Sequence, residues 1–124
     1  MSKMIDYAAS GVNIEAGNEA VRLMKAEVSK TYTPAVLSDL GTFGSLYDLK
    51  TLFNEYDHPV LVQSIDGVGT KSIVAEMADD FSKLGEDLLS ATANDILVMG
   101  AKPLTLLDYI ASDKIDPKNI ANLV

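Results

Sequence analysis

The residues best suited to chemistry lie at positions 64–71, a stretch that we call the Gly-rich segment: Ser-Ile-Asp-Gly-Val-Gly-Thr-Lys. It brings together a carboxylate at Asp66, two glycines, a hydroxyl at Thr70 and a cation at Lys71. Glycines let backbone N–H groups approach an anion closely, and the start of a helix adds partial positive charge. The segment therefore predicts a phosphate-binding turn, formed by Asp66, Gly67, Val68, Gly69, Thr70 and Lys71.

Two familiar phosphate motifs do not fit the Gly-rich segment. A P-loop has four residues between its glycines and a lysine directly after the second, whereas Gly67 and Gly69 are one residue apart and Thr70 precedes Lys71. A dinucleotide-binding fingerprint needs a third glycine where this chain has Ser72. An ordinary Asp-Gly turn without a ligand remains the open alternative.

A second carboxylate, Asp95, lies in a predicted helix over residues 84–99. Apolar residues cover nearly every side of this helix, a pattern typical of a buried helix. A buried ionised carboxylate needs a cation, several hydrogen bonds or a metal ion. With Asp66 at a phosphate-type turn, the two carboxylates could share Mg²⁺, while a structural N–H or lysine partner for Asp95 is the alternative.

Strands and helices that would position these residues follow from the hydrophobic pattern. Residues 60–65 and 104–111 are predicted strands, the second with Asp108 on an otherwise apolar face, and residues 15–30 form a predicted amphipathic helix. Residues 41–44, Gly-Thr-Phe-Gly, predict a loop that is either a lid or a plain connection, and a short strand is expected at 45–49. The pattern indicates a mixed α and β domain.

Composition narrows the class of protein. The 124 residues, 48% of them hydrophobic, suit one globular domain, and the net charge of -8 argues against a nucleic-acid partner. No apolar run is long enough to cross a membrane, there is no secretory signal, and the absence of cysteine is compatible with the cytoplasm. A small phosphorylated ligand with Mg²⁺ remains possible.

The predicted organisation is an N-terminal arm at residues 1–13 followed by one domain at residues 14–124. Asp116 and Pro117 form a strong helix start, but the sequence reaches its last residue at Val124. We interpret the chain as the beginning of a longer polypeptide that continues into a C-terminal domain.

Several motifs, taken in order, resemble the N-terminal part of the phosphoribosylformylglycinamidine cyclo-ligase (AIR synthetase) family. The carriers are residues 7–18 (YAASGVNIEAGN), 41–44 (GTFG), 66–71 (DGVGTK), 94–101 (NDILVMGA) and 107–109 (LDY). They span nearly the whole chain. The ordered set is far more specific than any one motif.

The resemblance implies an α+β fold with a mixed sheet, outer helices, and strands that pair across a homodimer into a barrel. It implies ATP-dependent cyclisation of formylglycinamidine ribonucleotide to aminoimidazole ribonucleotide in purine biosynthesis. Asp66 and Asp95 would hold Mg²⁺, and Lys71 with the backbone of residues 67–70 would contact phosphate. The second-tier candidates for the same site, called residues of second rank below, are Asn94, Asp108, Gly41 and Gly44. The resemblance names no catalytic residue for proton transfer and implies that the 124 residues alone are inactive.

Some positions depart from the family pattern. The family usually has Gly-Gly-Phe-Gly where this chain has Thr42, a larger apolar residue where it has Ser72, and Cys-Val-Asn-Asp where Thr92 and Ala93 precede Asn94. Thiamine-monophosphate kinase, selenophosphate synthetase and a hydrogenase-maturation dehydratase resemble the same domain and are alternative functions. A non-catalytic nucleotide-binding dimerisation module is a further alternative, as are carboxylates with a purely structural role.

Overall fold

Helices and irregular segments make up the part of the chain that the computed structural model describes, Tyr7 and residues 11–124. Most of the predicted arm at residues 1–13 lies outside the described residues. The helices are α1 (Ile14–Ser29), α2 (Lys50–Glu55), α3 (Lys71–Ala78), α4 (Leu84–Val98) and α5 (Pro117–Leu123).

Helix α1 packs against α5, and both begin where the sequence predicts. The Asn13 side chain accepts a hydrogen bond from the Ala16 N–H at 3.0 Å, which satisfies one of the unpaired donors at the start of α1. The Asp116 carboxylate caps α5 in the same way, with Pro117 in its first turn. Ala20 and Met24, one turn apart on α1, are buried. These contacts confirm the predicted amphipathic helix.

Helices α3 and α4 pack against each other and follow the Gly-rich segment. Helix α4 covers nearly all of the predicted range 84–99, and Gly100 follows it in the left-handed region at φ 74°. Helix α2 was not predicted, because six residues are too few to show an amphipathic stripe. Its start is marked by Asp48, whose carboxylate accepts a hydrogen bond from the Lys50 N–H at 2.8 Å.

The predicted strands are largely missing from the described residues. The segment 45–49 forms a single antiparallel bridge, between Val36 and Tyr47. Residues 60–65 and 104–111 form no β-ladder within residues 11–124, so these two strand predictions are wrong for the single chain. A strand needs a neighbour for its backbone groups, and none of the described segments pairs with either. The mixed sheet and the barrel across a dimer are not confirmed and remain predictions.

Few side chains are buried in the described chain: Ala20, Met24, Ala35, Ala75 and Leu84. The expectation that α4 is buried on all sides is therefore wrong here, since Leu97 and Val98 are 63% and 85% exposed. Large apolar side chains of the two predicted strands are also exposed, among them Ile65 and Tyr109. No described helix has both the length and the apolar character needed to span a bilayer.

Candidate functional site

The Gly-rich segment forms a turn that leads directly into α3, as predicted. The Asp66 carboxylate accepts a hydrogen bond from the Gly67 N–H at 2.7 Å, so this acidic side chain folds back on the turn. Gly69 adopts φ 59°, in the left-handed region that favours glycine. Thr70 occupies the N-cap position of α3, but its side chain accepts no hydrogen bond from the helix. Lys71 is the first helical residue. The helix start needed for anion binding is present.

Asp95 contacts the beginning of the Gly-rich segment. The Ser64 hydroxyl donates a hydrogen bond to Asp95 Oδ2 at 2.9 Å. Asp95 itself is exposed, so the expectation that it is buried is wrong in the described chain. The reason is that the end of α4 is not covered by another element, since Leu97 and Val98 are also exposed. The contact brings Asp95 to the segment that carries Asp66, two residues after Ser64.

Lys71 contacts α4 at the other end of the segment. Its Nζ lies 3.0 Å from Asp87 Oδ2, with the two side chains 61% and 42% exposed. Positions 87 and 95 are about 12 Å apart along a helix axis that rises 1.5 Å per residue. The Gly-rich segment therefore lies along α4 and runs in the opposite direction, held at its start by Asp95 and at its end by Asp87.

The donors at this site suit a hard cation. Asp66 and Asp95 offer carboxylate oxygens, and Mg²⁺ is commonly bound by one or two carboxylates together with water and phosphate oxygens. Within Tyr7 and residues 11–124, no group of three His, Asp or Glu side chains is placed to hold a metal ion. Any cation here would complete its coordination from a ligand, from water or from residues outside this set.

A groove of about 340 Å³ lies beside the segment, between α3 and α4. Its charged lining comes from Lys71, Asp80, Lys83 and Asp87. The Ser82 backbone N–H and hydroxyl beside the Asp80 carboxylate lower the pKa of Asp80, and hydrogen bonding to Glu86 raises the pKa of Lys83. Apolar residues of α3 and α4 form the rest of its lining. Both signs of charge therefore line the groove.

The loop at residues 41–44 is not brought to this site by any hydrogen bond or ion pair of the described residues. It lies against α1: a Cβ at Gly41 would be 3.4 Å from Val21 Cγ1, and Gly41 has φ 92°. Thr42 Oγ1 lies 2.6 Å from the Gly44 carbonyl oxygen and 3.1 Å from that of Asp39. Asp39 in turn pairs with Lys25 of α1. This loop therefore contacts a different part of the chain from the Gly-rich segment.

The other residues of second rank lie on exposed surface. Asn94 is exposed beside Asp95 on α4, and Asp108 is exposed in a segment without regular structure. Sequence reasoning missed Ser64 and Asp87 as partners of the site. Asp87 had one visible signal, since an acidic residue in the first turn of a helix complements its dipole. Nothing in the sequence indicated that it pairs with Lys71.

Comparison with known proteins adds to this geometry. The model of a family described as AIR synthase related protein, N-terminal domain, matches residues 50–124. Proteins named phosphoribosylformylglycinamidine cyclo-ligase are similar to nearly the whole chain. That of Geobacillus sp. (strain WCH70) is 50% identical over 95% of the chain, that of Geobacter sulfurreducens 49% over 95%, and that of Carboxydothermus hydrogenoformans 46% over 97%. The chain spans only 33–34% of the length of these relatives.

Proposed function

The chain belongs to the family of AIR synthase related proteins, through the N-terminal domain, and from this premise we propose that the complete protein is a phosphoribosylformylglycinamidine cyclo-ligase of purine biosynthesis. One observation carries the proposal: relatives of that name are 46–50% identical over 95–97% of the chain. The proposal concerns the complete protein, because the chain covers about a third of each relative's length.

The proposed reaction consumes ATP. The formyl amide oxygen of formylglycinamidine ribonucleotide attacks the γ-phosphorus, ADP leaves, and the oxygen becomes part of a good leaving group. A nitrogen on the amidine side then attacks the activated carbon, phosphate departs, and the five-membered aminoimidazole ring closes. Such chemistry needs positioning of two substrates and neutralisation of phosphate charge more than it needs a protein nucleophile.

In this proposal, the Gly-rich segment binds the phosphates of ATP. The backbone N–H groups of residues 67–70 and the Lys71 ammonium supply the donors, and the start of α3 adds its partial positive charge. The support for this role is the observed turn at Gly69 and the helix that begins at Lys71. The chain's acidic balance makes such local donors necessary, since its net charge of -8 disfavours an anion elsewhere on the surface.

Asp66 and Asp95 are the proposed residues for Mg²⁺. When bound, the ion supplies charge neutralisation at the phosphate oxygens. Asp95 accepts the Ser64 hydroxyl on Oδ2, and each carboxylate has about four lone-pair sites, so both retain free acceptor capacity. Asn94 and Asp108 remain of second rank, and no residue is assigned to proton transfer.

Binding of Mg-ATP to the complete protein is the direct test. Titration calorimetry should give saturable, Mg²⁺-dependent binding that is weakened at least about tenfold by Asp66→Asn or Asp95→Asn, since each removes a charged ligand. The matched control is Asp57→Asn, which changes an exposed carboxylate in a bend outside the segment. Unchanged nucleotide affinity in both variants would favour a structural role for the carboxylates.

Turnover separates this function from the related Mg-ATP enzymes. The complete protein should form ADP with formylglycinamidine ribonucleotide and not with thiamine monophosphate or selenide. Turnover of either other substrate would replace the proposal, and ATP binding without turnover of any of them would favour the dimerisation module.

We further propose a homodimer in the cytoplasm and an inactive 124-residue fragment. The exposed apolar side chains of residues 60–65 and 104–111 support an additional partner surface, since contiguous exposed apolar surface marks an interaction site. Mass measurement of the native complete protein tests the dimer. Turnover of the formyl substrate by the fragment alone would contradict its predicted inactivity.

A further inference from the structure

The ion pair between Lys71 and Asp87 differs from the surface pairs within single helical turns. In the described residues, Arg22–Glu19, Lys30–Glu27 and Lys83–Glu86 each join residues three positions apart. Lys71–Asp87 instead joins the first residue of α3 to the first turn of α4, at 3.0 Å. It therefore links the end of the Gly-rich segment to α4.

We propose that Asp87 is a positioning residue for Lys71, holding its ammonium group where it can receive a phosphate of ATP. The inference rests on the proposed function. An ammonium group has three donors, so the contact with Asp87 leaves two for a ligand oxygen. Lys71 and Asp87 both line the groove between α3 and α4, and both are partly exposed, so solvent and a ligand can reach the pair.

The physical effect is preorganisation. A lysine has four rotatable methylene groups, and a ligand that captures a free lysine must immobilise that side chain. Asp87 restrains the side chain before the ligand arrives. The second contact of the segment with α4, from Ser64 to Asp95, fixes the other end of the same turn and limits the movement that the loss of Asp87 would allow.

The expected effect is modest, because exposed ion pairs contribute little. Replacing Asp87 by asparagine keeps the shape and removes the charge. We expect Asp87→Asn to weaken Mg-ATP binding to the complete protein by about two- to fivefold, the range set by exposed pairs in solution. Glu86→Gln is the matched control, since it breaks the adjacent Lys83–Glu86 pair at 2.9 Å and leaves Lys71 untouched.

A thermodynamic cycle with Lys71→Met distinguishes positioning from a general structural role. If Asp87 acts through Lys71, Asp87→Asn should have no further effect on Mg-ATP affinity in the Lys71→Met background. Binding of adenosine, which has no phosphate, should not change in either single variant. Thermal unfolding of each variant checks that the fold is retained.

The outcomes separate the two hypotheses. If the wild-type complete protein does not bind Mg-ATP, the proposed function fails, and the role of Asp87 fails with it. Three results would overturn only the positioning role in a wild type that binds Mg-ATP. The first two are that Asp87→Asn leaves Mg-ATP affinity unchanged, or lowers it by the same factor in the Lys71→Met background. The third is that Asp87→Asn lowers the affinity for adenosine by the same factor. A loss of the same size in Glu86→Gln would also overturn it.

Discussion

The two helix pairs of the described chain are held together differently. The α1–α5 pair packs closely: Ala20 and Met24 of α1 are buried, and Gly17 of α1 faces Ile115, two residues before α5, at 3.9 Å from its would-be Cβ. The α3–α4 pair also buries two side chains, Ala75 and Leu84, but fewer residues of the two helices are in contact. Its link to the Gly-rich segment consists of two exposed polar contacts, Ser64–Asp95 and Lys71–Asp87.

The difference separates stability from site geometry. Burial of apolar surface supplies most of the free energy of folding, whereas exposed polar contacts contribute a few tenths to about 1 kcal/mol each. The part of the chain that carries the candidate site is therefore held in place by the weaker kind of contact. Its geometry should be adjusted more readily by a ligand or by a partner than that of the α1–α5 pair.

The largest expected effect comes from removing a buried side chain of the α1–α5 pair. Met24→Ala should lower the free energy of unfolding of the complete protein by about 2–3 kcal/mol, because it removes buried methylene groups and leaves a cavity. Met24 is 9% exposed. Urea denaturation measures the loss.

Met77→Ala on α3 is the matched control, since that side chain is 83% exposed and should cost less than about 0.5 kcal/mol. Equal losses in the two variants would contradict the contrast between the helix pairs, because the exposed methionine would then be buried in the complete protein.

The contact between the two helix pairs gives the next effect. A Cβ at Gly85, in the first turn of α4, would lie 2.0 Å from the Leu123 carbonyl oxygen of α5. Gly85→Ala must therefore displace backbone, and we expect a loss of about 1–3 kcal/mol in unfolding free energy despite alanine's higher helix propensity.

Gly44→Ala is its control, since the added methyl meets nothing within 4 Å. A Gly85→Ala variant as stable as the wild type would show that α5 does not approach α4 this closely in the complete protein.

The sequence predicted what local chemistry determines. Asp116 as a helix cap, the apolar stripe of α1 and the turn before α3 all follow from residues a few positions apart. The strands at 60–65 and 104–111 did not follow, since a strand depends on a distant partner and its apolar residues look alike whether paired or exposed.

The candidate site was predictable to the same extent. Asp66 and Lys71 lie in one short motif, and Asp95 stands out as a carboxylate on an apolar helix. The contacts of Ser64 with Asp95 and of Lys71 with Asp87 depend on how α4 lies against the segment, which no spacing along the chain encodes. Asp95 was expected to be buried because periodicity reports which side of a helix is apolar, not whether another element covers it.

A smaller effect should come from the polar contact at the start of the Gly-rich segment. Ser64→Ala removes the hydroxyl that donates to Asp95 at 2.9 Å. Because the contact is exposed, we expect a loss of at most about 1 kcal/mol in global stability, together with faster exchange of the Gly67 amide, which is hydrogen-bonded to Asp66. Hydrogen-exchange mass spectrometry measures amide exchange in the Gly-rich segment and in α1 in the same experiment.

Ser90→Ala is the control on the same helix, since the Ser90 hydroxyl makes no hydrogen bond within residues 11–124 and the exchange of the segment should not change. Faster exchange in α1 as well would mean that Ser64 supports the whole fold and not the segment alone.

The smallest effect concerns the ion pair that joins α1 to the loop before residues 41–44. The hydrogen bond with Lys25, supported by the Leu40 N–H, lowers the pKa of Asp39 below its ordinary 3.8, and the same hydrogen bond raises the pKa of Lys25 above 10.5. Because the pKa of Asp39 is lower in the folded chain, this carboxylate stabilises the fold at pH values above its pKa in the unfolded chain. The stabilisation is lost as the pH falls through the pKa of the folded chain. Because the pKa of Lys25 is higher in the folded chain, this ammonium group stabilises the fold at pH values below its pKa in the unfolded chain. The stabilisation is lost as the pH rises through the pKa of the folded chain.

The contribution of the Lys25–Asp39 pair to folding stability should therefore be constant from about pH 5 to pH 9 and decline outside that window. We expect the difference in melting temperature between wild type and Asp39→Asn to shrink below pH 4. In a Lys25→Met background this pH dependence should be smaller, because only the Leu40 N–H then favours the charged Asp39 carboxylate. Since both side chains are about half exposed, high salt should reduce the difference as well. A difference that persists at pH 2 would mean that Asp39 acts through its backbone contacts, and that the loop is held to α1 by packing, as α5 is.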